Sequence, residues 1–243
     1  DEVLVHQHAV PGAVVVADPD RVAGAERALA QGAQVLVLDD AYQRLDVWRD
    51  LNLAVVSAET TRAVRWSLPA GPWREGLHAL DRADALVVTR KRADAASALA
   101  LARELSPRVR GPVAVVHLDV QKYEGLMTGR AVTREVLAGK RVVAASGIAD
   151  PEAFIAQTKA TGAQVQAATW RDHHDYRDED LAWLAKAARK ADYVVMTEKD
   201  AVKLRHRWPA SVAEPLVAKL ELEWEEGHDA LVQALHAVVM KLE

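Results

Sequence analysis

The fold class is decided by residues 141–197, which read RVVAASGIADPEAFIAQTKATGAQVQAATWRDHHDYRDEDLAWLAKAARKADYVVMT. Short apolar runs in this stretch alternate with Ala-rich segments of helical character. The predicted strands are 141–145, 164–168 and 193–197, and the predicted helices are 151–161 and 178–191. Continuous apolar strands that alternate with helices are typical of a parallel sheet covered on both faces. The chain is therefore predicted to be an α/β protein.

The same alternation runs through the first half of the chain. The predicted strands there are 13–17, 34–38, 51–57, 85–89 and one that begins at 113, and the predicted helices are 21–31, 75–82 and 94–105. Asp20 is expected to cap the first of these helices, because Asp is favoured at N-caps. Residues 118–139 predict a linker or hairpin, 216–224 a linker strand and 227–242 an amphipathic helix. Two small α/β units with a β-type linker are the simplest arrangement.

The composition excludes several classes of protein. The 243 residues contain no cysteine, which excludes a disulfide scaffold, a thiolate metal site and a cysteine nucleophile. Half of them are hydrophobic, so the chain is not disordered. The net charge of −4 argues against non-specific nucleic-acid binding. No apolar run reaches the roughly 18–20 residues of a membrane span. The chain opens with Asp-Glu rather than Met, as expected of a piece of a longer chain, of a chain whose start is missing from the sequence, or of a processed chain.

Three polar clusters come at the ends of predicted strands, where open α/β sheets bind ligands. They are LDDAYQ at 38–43, DHHDY at 172–176 and TEKD at 197–200. Asp39 and Asp40 could hold Mg²⁺ or form a solvated turn. The second cluster could supply a general base or only cap a helix, and Thr197 suits ordinary helix capping. The residues alone leave these alternatives open.

A rigid Pro/Gly-rich loop, LPAGPWRE at 68–75, enters one of the predicted helices. Trp48, Trp66 and Trp73 lie near it in the sequence, with several arginines. Trp with Arg is typical of a membrane-interface patch, although some of these tryptophans could belong to the core. The phosphate-binding motif G-x-x-x-x-G-K-S/T does not occur in the 243 residues.

These motifs together resemble those of the tetraacyldisaccharide 4′-kinases, the lipid A 4′-kinase family. The matching stretches, in family order, are PDR (19–21), LDDAYQ (38–43), RD (49–50), LPAGPWRE (68–75), RAD (82–84), GI (147–148), PEAF (151–154), DHHDY (172–176) and TEKDAVK (197–203). They cover nearly the whole chain. The loop at 68–75 and the segment that begins at 197 are the most specific of them.

The resemblance implies two P-loop/Rossmann-like three-layer α/β units with mostly parallel sheets, joined by a β-hairpin-type linker. Residues 1–117 with 226–243 would form an N-terminal kinase core without its P-loop segment. Residues 118–140 and 215–225 would be the linker strands, and 141–214 a smaller C-terminal domain.

The resemblance also implies an activity. The γ-phosphate of ATP, with Mg²⁺ as cofactor, would pass to the 4′-hydroxyl of tetraacyldisaccharide 1-phosphate and give lipid IVA in lipid A (lipopolysaccharide) biosynthesis. The implied partners are this lipid A disaccharide 1-phosphate precursor and the inner-membrane surface, with no nucleic acid. The enzyme is expected to be a monomer at the cytoplasmic face of the bacterial inner membrane.

The site residues implied by the resemblance follow from their motif positions. Asp1 and His173 match a catalytic carboxylate–imidazole pair, and Asp39 and Asp40 match an acidic pair associated with Mg²⁺. The residues implied to line the active site are Glu2, Gln43, Arg74 and Lys199. No residue of this chain matches the family's ATP P-loop.

Two departures from the family pattern argue against kinase activity of the 243-residue chain alone. Gln43 is followed by Arg44, where the family has His, and the P-loop motif is missing. We therefore expect the 243-residue chain alone to be inactive. The alternatives are a non-catalytic lipid- or nucleotide-binding descendant that has lost the P-loop, and a two-domain sugar-nucleotide transferase. Binding of a UDP-sugar without binding of ATP would favour the last.

Overall fold

The chain folds as two compact units. The structure is a computed structural model that describes residues 2–59, 66–71 and 73–240. Unit I comprises Asp18–Leu118 and Leu222–Glu243, and unit II comprises Asp1–Ala17 and Asp119–Glu221. The expected division into a kinase core, linker strands and a smaller domain stays a prediction, and it differs from these units in placing residues 1–17 with 18–117.

Strands and helices alternate along most of the described chain. The strands are β1 (Leu53–Ser57), β2 (Ala85–Arg90), β3 (Val113–Gly125), β4 (Ala131–Thr133), β5 (Arg141–Ser146), β6 (Gln164–Thr169), β7 (Tyr193–Met196) and β8 (Leu216–Glu226). The helices are α1 (Glu2–Ala9), α2 (Arg21–Ala30), α3 (Ala95–Leu105), α4 (Pro151–Ala160), α5 (Asp178–Ala188), α6 (Glu198–Leu204) and α7 (His228–Val239). Short 3-10 helices occur at Leu77–Arg82, Ser106–Arg108 and Arg134–Leu137. No helix in the described ranges combines the length and the apolar character needed to cross a membrane.

Unit I contains a sheet with helices on both faces. Strands β1, β2 and β3 are parallel neighbours, and β8 lies next to β3. Leu86 and Val88 of β2 pack on one face with residues of α3. Ala85 and Val87, which alternate with them along the strand, pack on the other face with Leu231 of α7. This alternation of side chains gives the three-layer arrangement.

Unit II is built in the same way around β5. The strand order is β3-β8-β7-β5-β6, with parallel pairing from β8 to β6 and with β4 antiparallel to β3. Leu184 of α5 and Leu204 of α6 pack on one face of this sheet, and Phe154 of α4 packs on the other. The α/β class is therefore confirmed. The hairpin between β3 and β4 lies within 118–139, as predicted.

Helix starts agree with the capping pattern in the sequence. The Asp20 carboxylate accepts hydrogen bonds from the backbone N–H groups of Val22 and Ala23, at 3.0 and 3.2 Å, as predicted for α2. Asp150 accepts one from Ala153 N at 3.1 Å and caps α4 in the same way. Such caps satisfy N–H groups that have no partner inside the helix.

Two predicted strands are wrong. Residues 13–17 and 34–38 have no regular secondary structure, and Val37 is 90 % exposed. A strand forms only where a neighbour takes its backbone hydrogen bonds. In the described part of the chain, neither segment pairs with β1 or with another strand. Asp39 and Asp40 therefore lie in a turn and do not end a buried strand.

Candidate functional site

Three of the predicted site residues come together in unit II. The Lys199 ammonium, at the start of α6, donates to Glu2 Oε1 at 2.7 Å, at the start of α1. This hydrogen bond and the Lys199 charge lower the pKa of the Glu2 carboxyl, and the charge of nearby His173 lowers it further. The ion pair is partly exposed, so it remains accessible to a ligand. Asp1, the predicted catalytic carboxylate, lies outside the described residues, and its role stays a prediction.

His173 lies in an exposed turn between β6 and α5. Its backbone is in the left-handed region, with φ 55°, and its N–H donates to Asp172 Oδ1 at 3.0 Å. Its side chain is 60 % exposed, and Nε2 lies 3.7 Å from Asp172 Oδ2. The turn therefore presents the imidazole outward, beside the Asp172 carboxylate.

His174 has a structural role instead. Its Nε2 lies 2.9 Å from Asp180 Oδ2, and its ring stacks on Trp170 at 5.8 Å between centroids. Trp170 donates its indole N–H to the other Asp180 oxygen at 2.9 Å. Burial acts to raise the pKa of Asp180, but hydrogen bonds from the Arg177 N–H, His174 and Trp170 outweigh burial and lower it. These contacts shape the loop that carries His173.

Asp200 connects three of the family motifs. Its side chain is fully buried and accepts from Tyr176 Oη at 2.8 Å, Gly147 N at 3.0 Å and Thr197 Oγ1 at 2.6 Å. Thr197 also caps α6, as its sequence position suggested. Sequence reasoning missed the role of Asp200, and the available signal was an acid three residues after the capping Thr.

In unit I, Asp40 and Arg74 are brought together. Arg74 Nη1 lies 2.8 Å from Asp40 Oδ2, and both side chains are more than half exposed. The loop before Arg74 is tight: Trp73 N donates to Trp66 O at 3.2 Å, and a Cβ on Gly71 would lie 2.2 Å from Trp66 O. A side chain larger than that of Gly would therefore displace the loop that directs Arg74.

Gln43 forms a hydrogen bond with Glu75, at the end of the loop that carries Arg74. Arg82 forms a bidentate ion pair with Glu75, and this pairing lowers the Glu75 pKa, with a further contribution from a hydrogen bond of Gln43. The Arg82 guanidinium also lies 4.3 Å from the centre of the Tyr42 ring. The motifs at 38–43, 68–75 and 82–84 thus contact one another.

Arg44 and Asp39 complete this part of unit I. Arg44 pairs with Asp46 through bonds of 2.9 and 2.7 Å and donates to Pro19 O at 3.3 Å. Asp39 is exposed next to Asp40. Within the described ranges, no three His, Asp or Glu side chains are grouped so that they could hold a metal alone. The roles predicted for all these site residues remain predictions.

Comparison with known proteins identifies relatives over nearly the whole chain. The family description Tetraacyldisaccharide-1-P 4′-kinase (LpxK) matches residues 1–239. The tetraacyldisaccharide 4′-kinases of Anaeromyxobacter sp. strains Fw109-5 and K are 36 % and 35 % identical over 250 and 246 residues, covering 99 % and 98 % of the chain. The crystal structure of "apo" form LpxK from Aquifex aeolicus in complex with ATP matches 92 % of the chain with a TM-score of 0.65 and 24 % identity.

The chain spans 66 % and 65 % of the length of the two Anaeromyxobacter proteins and 64 % of the Aquifex chain. The Aquifex structure shows a shared fold, in agreement with the α/β class found above. The family match and the Anaeromyxobacter identities extend over all the motifs that carried the resemblance. The chain belongs to the tetraacyldisaccharide-1-P 4′-kinase family.

Proposed function

We propose that the protein containing this chain transfers the γ-phosphate of ATP to the 4′-hydroxyl of tetraacyldisaccharide 1-phosphate, which yields lipid IVA for lipid A biosynthesis. The observation that carries this proposal is the family match over residues 1–239. The clustering of its motif residues within each unit supports it, as does ATP in the Aquifex relative.

The proposed base is His173, paired with Asp1. A sugar hydroxyl is a weak nucleophile, and an exposed imidazole beside carboxylates can orient it and accept its proton as the new bond forms. Lys199, Glu2, Gln43 and Arg74 would line the active site. The two cations among them, Lys199 and Arg74, can neutralise charge on phosphoryl groups, and such neutralisation contributes most of the catalysis of phosphoryl transfer.

Asp39 and Asp40 fit Mg²⁺ by their chemistry. Proteins usually bind Mg²⁺ through one or two carboxylates, with substrate phosphates and waters as the other ligands. The two exposed neighbouring carboxylates meet this requirement, and the absence of a larger ligand group among the described residues is consistent with it. When bound, Mg²⁺ would offset the negative charge of the transferring phosphoryl group. Arg74, now bonded to Asp40, would lie next to that charge.

The proposed location is the cytoplasmic face of the inner membrane, with the enzyme acting as a monomer. Trp48 and Trp66 are 88 % and 64 % exposed. The alternative prediction, that these tryptophans belong to the hydrophobic core, is therefore wrong for these two residues. Leu68, in the loop that carries Arg74, is also exposed. Exposed Trp with Leu and Arg suits the interfacial region of a bilayer, where an acylated substrate would be met.

The test is a phosphorylation assay. The full natural reading frame that encodes these residues is expressed and incubated with Mg²⁺, γ-labelled ATP and tetraacyldisaccharide 1-phosphate. Label in a product phosphorylated at the 4′ position is expected, and a His173→Ala variant should lose most of the turnover. Absence of labelled lipid in the wild type would contradict the proposal.

In that case, ATP binding without turnover would favour a non-catalytic descendant, and UDP-sugar binding without ATP binding would favour a transferase.

A further inference from the structure

We infer that Asp200 is a positioning residue: its buried carboxylate fixes the loop that carries His173 relative to the Glu2–Lys199 ion pair. The inference rests on the proposed function, in which His173 contacts the acceptor hydroxyl. Asp200 has no exposed surface of its own, so it acts through the residues that it holds.

The three hydrogen-bond donors to Asp200 belong to three different segments of unit II. Tyr176 follows His173 in the loop after β6, Gly147 is in the turn after β5, and Thr197 is the N-cap of α6. Hydrogen bonds to a charged acceptor are roughly twice as strong as neutral ones. One side chain therefore ties the His173 loop to the start of the helix that carries Lys199.

Helix α6 holds the same loop at a second point. Lys203, one turn after Asp200, donates its Nζ to His174 O at 3.0 Å. His174 and Tyr176 are thus both attached to α6, and His173 comes directly before them. Because α6 also presents Lys199 to Glu2 at 2.7 Å, a single helix determines the positions of the imidazole and of the ion pair.

The Asp200 carboxylate and the Tyr176 phenol meet in closely packed surroundings. A Cβ on Gly147 would lie 3.2 Å from Asp200 Oδ1 and 3.2 Å from His174 Cβ, so the carboxylate packs directly on the Gly147 backbone. Burial, followed by the Asp200 charge and hydrogen bond, raises the pKa of Tyr176 far above its ordinary value. The phenol therefore stays protonated and donates at every working pH.

The experiment removes the phenol donor with Tyr176→Phe in the full natural enzyme. The kcat for lipid phosphorylation is expected to fall about tenfold or more, since tenfold corresponds to the lower end of the range for one hydrogen bond to a charged group, with the KM for ATP unchanged. Tyr193→Phe in β7 is the matched control, with the same atom removed in the same unit, and should leave kcat unchanged. In a His173→Ala background, Tyr176→Phe should change kcat less than about twofold, because no imidazole remains to be positioned.

Equal fold losses in the two backgrounds would overturn the inference, and so would an unchanged kcat in Tyr176→Phe. If Tyr176→Phe does not fold, Asp200→Asn replaces it with the same expectations and with Asp192→Asn as its control. Asp192 is partly exposed and pairs with Arg141.

Hydrogen exchange separates this inference from the proposed function, because it needs no turnover. Amides 171–175 should exchange faster in Tyr176→Phe than in the wild type, and not in Tyr193→Phe. Faster exchange in a protein that does not phosphorylate the lipid at all would support the positioning and contradict the kinase proposal. Unchanged exchange would overturn the positioning whatever the activity.

Discussion

Replacing Glu59 by Gln tests how strongly a single charge stabilises unit I. Glu59 comes just after β1, and its Oε1 accepts from the backbone N–H groups of Lys91, Arg92 and Ala93 at 2.7, 2.8 and 3.0 Å. Its Oε2 accepts from Ser57 Oγ at 2.7 Å. Successive backbone N–H groups of this kind form an anion-binding nest. Gln keeps the shape and one acceptor oxygen, so the substitution removes mainly the charge.

The size of the effect follows from the pKa of this carboxyl group. Burial acts to raise the pKa of Glu59, but the hydrogen bonds from Ala93, Lys91, Arg92 and Ser57 outweigh burial and hold it at about 2, against an ordinary 4.5. A shift of that size corresponds to about 3.4 kcal/mol at pH 7. The group is partly exposed, and solvent screening reduces the expected loss of unfolding free energy to about 1.5–2 kcal/mol.

The pH dependence gives the sharper test. Because folding lowers the pKa of Glu59, its stabilisation is complete above about pH 5 and is lost as the pH falls towards 2, with about two fifths remaining at pH 3. Urea unfolding of wild type and Glu59→Gln from pH 7 to 3, followed by Trp fluorescence, measures this. Glu226→Gln, on the exposed side of β8, is the control and should be neutral. A difference below about 0.5 kcal/mol at pH 7, or one independent of pH, would refute the reasoning.

Further predictions concern the two imidazoles and the exposed tryptophans. His173→Ala should lower kcat at least about 100-fold with little change in KM, because a general base acts in the transition state; a defect confined to KM would count against it. His174→Ala should lower the melting temperature more than His173→Ala does, since the His174 ring packs between Trp170 and Asp180. Trp48→Ser should weaken binding to vesicles of anionic lipid, measured by co-sedimentation, and equal binding by wild type and variant would exclude this Trp from the membrane contact.

The elements of 141–197 were predictable because their signals are local. Strands β5 and β7 are apolar apart from residues at their ends, and α4 begins directly after its capping residue Asp150. By contrast, an apolar run such as 34–38 has the composition of a buried strand but no pairing partner among the described residues. Composition reports what a segment could bury, whereas pairing depends on distant segments.

The candidate site likewise depends on contacts between segments that are distant in the sequence. The sequence placed His173 and His174 side by side and could not decide between them from chemistry, because their different surroundings come from Trp170 and Asp180. The burial of Asp200 depends on donors 24 and 53 residues away in the chain. The motif positions therefore named the segments, and only the structure showed that Asp200 joins three of them.

The order of segments along the chain has a consequence for biosynthesis. The residues assigned to unit II have all been made at residue 221, but Leu222–Glu243 of unit I have not. Among the described residues, Leu231 of α7 is the helical residue in the apolar cluster on one face of β2 and β3, and apolar surface left exposed before it is made promotes aggregation. A released chain that ends at residue 221 should therefore bind a hydrophobic dye or a chaperone, and one that continues through α7 should bind less of either.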